Sequence, residues 1–179
     1  MSELSIGVSK QDHLQGVLDA ACSLVEYGDY ECPSCGDVAP TIKSLQARFG
    51  DQMSFVFRNF PLREIHRWAE PAAEVAEFAG SHGKFWEMHD LLFENQETLN
   101  DEETFHALLK RLGLAGSDLE LARSKGALKK RIDSDFAGGV RSGVNGTPTF
   151  FLNGERYDGP TDYESLIALM EEVLISNGD

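Results

Sequence analysis

With only three cysteines in 179 residues, a disulfide framework is excluded, and two of the three stand three positions apart, a motif spacing and not a stapling one. No apolar run approaches the roughly 18 residues needed to span a bilayer. The first eleven residues also lack the basic start and apolar stretch of a secretory signal. The expected location is therefore cytoplasmic, or periplasmic or secreted if a leader has been trimmed from the chain. Basic residues are scarce: 16 Lys and Arg face 30 Asp and Glu, a net charge of −14. Such a surface repels nucleic acid and anionic membranes, so neither is expected as a partner. Internal repeats, low-complexity tracts and linkers are missing as well. What remains is a chain with 41% hydrophobic residues, enough to bury a core as one domain, with room for a sizeable insertion.

Along the chain, Cys22-Ser23-Leu24-Val25-Glu26-Tyr27 is short and mostly apolar and ends at Gly28-Asp29, which predicts a buried strand followed by a turn. An amphipathic helix over 38–49 follows, with Ile42, Leu45, Ala47 and Phe49 apolar; it begins near Cys32, and Pro40 predicts a kink in it. Residues 53–60 form a second strand closed by Pro61. Strand, helix and strand open a βαβ unit. From Pro61 to Asn145 the pattern is helical: 68–79, 84–94, 101–112 and a charged stretch over 119–140 that Gly126 divides, with Asn100 and Glu103 marking a helix start. Sheet signals resume at Thr149-Phe150-Phe151-Leu152, turn at Asn153-Gly154, continue over 156–158 and give way to a closing helix over 163–175. The two sheet-forming ends must therefore meet in space, with the helices between them as a lid or subdomain.

The chemistry sits in Cys32-Pro33-Ser34-Cys35. Residues i and i+3 share a helix face with Cβ atoms roughly 5–6 Å apart, so a slight tightening of the first turn brings the sulfurs to bonding distance. At a helix start, unpaired backbone N–H groups point at the first cysteine and favour its thiolate. A partly buried helix terminus contributes up to about 2 kcal/mol, which at about 1.36 kcal/mol per pKa unit moves a thiol from near 8.5 toward 7. Cys32 is then a usable nucleophile at neutral pH, and Pro33 suits the first helical position because its missing N–H would be unpaired anyway. Half of a zinc site, or two unconnected structural cysteines, are the alternatives for such a pair. A second CxxC, CxxH or HxxxH in a matching context does not occur, and the five histidines are scattered, so no metal is expected. Cys22, on the apolar strand, reads as a small buried hydrophobe. Glu26, six residues before Cys32 on a strand that should be central, is either a proton shuttle beneath the cysteines or a strand-end carboxylate near water. Phe85, Trp86, Phe93 and Trp68 recur at helical spacing and read as core. In Gly146-Thr147-Pro148-Thr149, the proline cannot donate to a strand ladder. An X–Pro bond is cis in only about 5% of cases, so the residues alone do not decide between cis and trans here, and a cis Thr147–Pro148 bond is expected only from the resemblance below.

Taken together, these segments resemble the DsbA-like branch of the thioredoxin superfamily. The stretch 26–36 is similar to the branch's strand and active-site turn, Pro40 to the proline of its active-site helix, 144–154 to its cis-proline loop and following strand, and 83–89 to part of its helical insertion. The resemblance implies an α/β thioredoxin fold, a mixed central sheet flanked by helices, made of residues 15–61 and 145–179 with a helical subdomain inserted over 62–144. It implies a thiol–disulfide oxidoreductase in which Cys32 forms the mixed disulfide, Cys35 resolves it and Glu26 is the buried acid. Thr147 and Pro148, with Pro33 and Ser34, bind substrate. Substrates are protein thiols and disulfides or small thiols, without a cofactor; the redox partner is not legible. The branch's namesake carries histidine where Ser34 stands, so one source of thiolate stabilisation is missing here. A glutathione-dependent transferase or isomerase shares the fold but usually replaces the pair with a single Ser or Cys. A non-catalytic or redox-gated peptide-binding module, such as a chaperone, would use the same groove.

Overall fold

The computed structural model describes residues 2–176, so the last three residues of the expected segment 145–179 lie outside the described residues. Cys22–Gly28 (β2) is covered on both faces, with Leu24 and Glu26 on one and Val25 and Tyr27 on the other. A strand buried on both faces belongs at the centre of a sheet. Met53–Asn59 (β3) runs parallel beside it, and Pro33–Phe49 (α1) makes the crossover between them. His13–Gly16 (β1) pairs antiparallel with β3. Thr149–Leu152 (β4) pairs antiparallel with the other side of β2, and Glu155–Tyr157 (β5) with β4. The order is β1-β3-β2-β4-β5. Residues 2–4 lie along β5, where Leu4 N–H donates to Gly154 O at 2.9 Å and Arg156 N–H to Ser2 O at 3.0 Å.

Ala69–Ser81 (α2), Phe85–Glu94 (α3), Glu102–Arg111 (α4), Gly116–Ser124 (α5) and Ala127–Arg141 (α6) follow one another between β3 and β4, and Tyr163–Ser176 (α7) closes the described chain. Leu24, Phe55, Phe57 and Phe150 pack on one sheet face with Val38, Ile42 and Leu45 of α1, Phe85, Met88 and Leu92 of α3, and Leu166 and Met170 of α7. On the other face Val25, Tyr27, Val56, Phe60 and Phe151 form a smaller core, closed by Phe136 of α6 stacked on Phe60 at 4.3 Å. Each such side chain contributes about 1.5–3 kcal/mol by leaving water, which holds α1 and α6 on opposite faces of β2.

Several local readings shift. β1 carries no periodic apolar signal; it forms because β3 offers an open edge and because His13 stacks on Phe85 at 3.5 Å while its Nε2 meets Glu77 at 2.9 Å. The start of α4 is capped by Asp101, one residue after the expected Asn100, through a hydrogen bond from Thr104 N–H at 2.7 Å. Strand β5 begins at Glu155, one residue early, because Asn153 and Gly154 both have positive φ and make a two-residue turn that pairs Leu152 with Glu155. Gly126, left-handed at φ 73°, separates α5 from α6 as expected. Phe85 is buried, and Trp68, Trp86 and Phe93 are half-buried against the core.

Candidate active site

The turn between β2 and α1 brings the expected cysteines to the C-terminal end of the central strand. Cys32 is the N-cap of α1, with extended backbone (φ −70°, ψ 119°), and Pro33 is the first helical residue. Cys35 lies one turn on, fully buried, while Cys32 is 6% exposed; both are free thiols, as is buried Cys22. The side chain of Pro33 and that of Ser34 face solvent beside Cys32.

Asp29 shapes this turn. Its carboxylate accepts from Glu31 N–H at 2.8 Å and Leu62 N–H at 2.9 Å and pairs with His66 Nδ1 at 2.8 Å, while its carbonyl accepts from Cys32 N–H at 3.1 Å. Tyr30 turns inward, and its hydroxyl meets His89 Nδ1 at 3.0 Å among Phe57, Trp86 and Phe93. Burial pushes His89 down to about 3, so the ring there is neutral.

The loop before β4 closes over the cysteines. The Thr147–Pro148 peptide bond is cis, and the Cys32 thiol donates to Thr147 O at 3.3 Å, so the loop and the first cysteine are in contact. Thr147 and Pro148 are half-buried. Cys32 is drawn down to about 5: the Cys35 thiol donating to its sulfur is the largest cause, burial opposes it, and the backbone N–H groups of Cys35 and Ser34 add to the fall. Burial and the same contact hold Cys35 well above the ordinary thiol range.

Glu26 lies on the α1 face of β2, between Phe57 and Phe150, 2% exposed. Burial pushes it up to about 8, Cys35 pulls the other way, and the charge on Cys32 adds to the rise. Its Oε1 has no hydrogen-bond partner among the described residues. Beside it is a cavity of about 20 Å³ lined also by Gln15, Lys43, Gln46, His89 and Asp90. Lys43 Nζ and Asp90 pair at 2.8 Å. Away from this site, Glu102, His106 and Glu120 bring metal-type ligand atoms within 4.8 Å of one another, but Arg123 already donates to Glu102 at 2.9 Å and to Glu120 at 2.7 Å.

A family model described as thioredoxin matches residues 8–172. The chain belongs to the thioredoxin family. Its fold is that of solved DsbA-type members of this superfamily. BdbD from Bacillus subtilis superposes with a TM-score of 0.82 at 24% identity, covering 97% of this chain and 96% of that one. The corresponding figures for α-DsbA1 from Wolbachia pipientis are 0.81, 16%, 93% and 92%. Among curated relatives, a stretch of the Na(+)/H(+) antiporter NhaA 1 of Salinispora arenicola is 42% identical over 169 residues, 92% of this chain and 25% of that protein. The NhaA 1 of Mycolicibacterium gilvum is 37% identical over 163 residues, 90% and 26%. The chain thus spans about a quarter of the length of these relatives. Among the described residues of this thioredoxin-family chain, no helix is long and apolar enough to cross a membrane.

Proposed function

We propose that the chain is a thiol–disulfide oxidoreductase that exchanges a dithiol for a disulfide through Cys32 and Cys35, with protein thiols and disulfides or small thiols as substrates. The observation that carries this reading is the asymmetry of the pair: Cys32 caps the start of α1 against the cis-proline loop, with its thiol drawn down, while Cys35, one turn on, is fully covered and held protonated. A low thiol is the attacking group and a covered one the resolving group.

In the reducing direction the Cys32 thiolate attacks one sulfur of a substrate disulfide, that S–S bond breaks, and the second substrate sulfur leaves as a thiolate. Forming the mixed disulfide removes the negative charge on Cys32 that helps hold Glu26 protonated. Glu26 then releases its proton through the adjoining cavity, which has room for about one water. The resulting carboxylate takes the proton of Cys35, whose thiolate attacks the Cys32 sulfur and expels the substrate's remaining thiolate. Two electrons pass to the substrate and a Cys32–Cys35 disulfide remains; the oxidising direction is the reverse. Which direction runs depends on the reduction potential of the pair against the compartment's poise, which a glutathione buffer measures.

Substrate backbone docks on Thr147, since Pro148 offers no N–H to a strand ladder and Thr147 O, which accepts from the Cys32 thiol, is released to pair with an extended segment once Cys32 is a thiolate or in a mixed disulfide. Pro33 and Ser34 flank the approach. On this reading residues 15–61 and 145–179 are the redox unit and 62–144 an inserted helical subdomain. The test is reduction of insulin disulfides, with Cys35→Ser as a trap. Turnover by the wild type and an accumulating Cys32-linked adduct in the variant are expected. Peptide binding without turnover or adduct would leave a non-catalytic binding module.

A further inference from the structure

The segment between α3 and α4 reaches back to the active-site turn. Gln96 opens a 3₁₀ turn over Gln96–Thr98, and its Nε2 donates to Tyr30 O at 2.9 Å and to Cys32 O at 2.8 Å. The Cys32 carbonyl also accepts from Cys35 N–H at 3.1 Å and Gly36 N–H at 3.2 Å, the first closing bonds of α1. One peptide oxygen is thus shared between the helix start and the Gln96 amide. The other end of that amide, Oε1, rests against Gly36, where a Cβ would collide with it. The support is stiff: Asn95 Nδ2 donates to Leu91 O at 2.7 Å, Thr98 Oγ1 to Asn95 O at 2.8 Å, and Leu99 is buried.

We propose that Gln96 is a positioning residue that holds the Tyr30–Cys32 backbone from the side of the intervening helices and keeps the Cys32 sulfur on the N–H groups of the first turn, with Gly36 as its seat. The inference rests on the reading of Cys32 as the nucleophile. Interactions between a charge and backbone N–H groups weaken steeply with distance and angle, so freeing the Cys32 carbonyl loosens the turn that stabilises the thiolate. A long amide side chain gives up rotamer freedom when fixed, and here two hydrogen bonds and a glycine-sized gap fix it.

The test is a titration of thiolate absorbance in the reduced full chain, with melting temperature as the control for folding. Wild type should show a midpoint near about 5, while Cys35 and Glu26 remain protonated. Gln96→Ala should raise the midpoint by about one pH unit, a tenfold loss of thiolate below it. Gln96→Glu, equal in length but without the donors, should not rescue it. Gly36→Ala, which displaces the amide from the other side, should give the same rise and add nothing in the Gln96→Ala background. An unchanged midpoint in folded Gln96→Ala, or additive effects of the two substitutions, would overturn the proposal. A wild-type midpoint near that of a free thiol would overturn the nucleophile reading instead, and this inference with it.

Discussion

Replacing Glu26 by Gln should make the reduced protein gain stability with rising pH relative to the wild type. Burial lifts Glu26 from 4.5 to about 8, so between those values the folded chain holds a proton that the unfolded chain has lost. Stability from this group is full at low pH and falls as pH rises toward 8. The span of about 3.5 pH units at about 1.36 kcal/mol each amounts to at most about 5 kcal/mol. Cys32 works in the opposite direction: lowered from 9.0 to about 5, it is ionised in the folded chain while still protonated in the unfolded one, and its contribution grows as pH rises through that window. Across pH 5–8 the two slopes nearly cancel in the wild type. Glu26→Gln keeps the volume and removes one of them. Urea denaturation of both reduced proteins at several pH values gives the difference directly, and buried groups common to both, such as Asp135, drop out. The stability difference, variant minus wild type, should climb by up to about 1.4 kcal/mol per pH unit between about 5 and 8. Parallel profiles would refute the argument and return Glu26 to a carboxylate that water reaches.

Ser34→His should raise the reduction potential measured against a glutathione buffer, because a donor beside Cys32 stabilises the reduced form; about 30 mV corresponds to 1.4 kcal/mol for a two-electron couple. An unchanged or lower potential would contradict this. Thr147→Val removes a buried hydroxyl, Oγ1, that has no hydrogen-bond partner among the described residues, and should leave the alkylation midpoint of Cys32 in place without lowering the melting temperature. A midpoint that moves upward would refute this and assign part of the thiolate's stabilisation to the Thr147 hydroxyl.

Much of the fold could be read from local signals. The apolar run of β2, the glycine dividing α5 from α6 and the Asn153-Gly154 turn each contain their own physical cause. The cysteines announce themselves by spacing, and Glu26 by being a carboxylate on a strand that had to be buried. What stayed hidden depends on partners far away in sequence. Strand β1 is polar and short, and only the edge of β3, some forty residues on, makes it a strand. Asp29, Glu77 and Asp135 look like surface acids, yet each is buried in a hydrogen-bonded position: Asn59 Nδ2 alone donates to Glu77 at 2.7 Å and to Asp135 at 3.1 Å. Gln96 is an ordinary polar residue in a helical block until the fold sets it against Tyr30 and Cys32.

The pairing of residues 2–4 with β5 has a consequence for how copies of this chain meet. With Gly154 O and Arg156 N–H engaged by Leu4 and Ser2, the three-residue β5 cannot accept a strand from a neighbouring molecule at those positions. Removing the short strap would bare that row of backbone donors and acceptors. On the proposed reading, a protein that trades sulfur bonds with passing chains would then also offer them a ladder to stay on, and edge-to-edge association would compete with release.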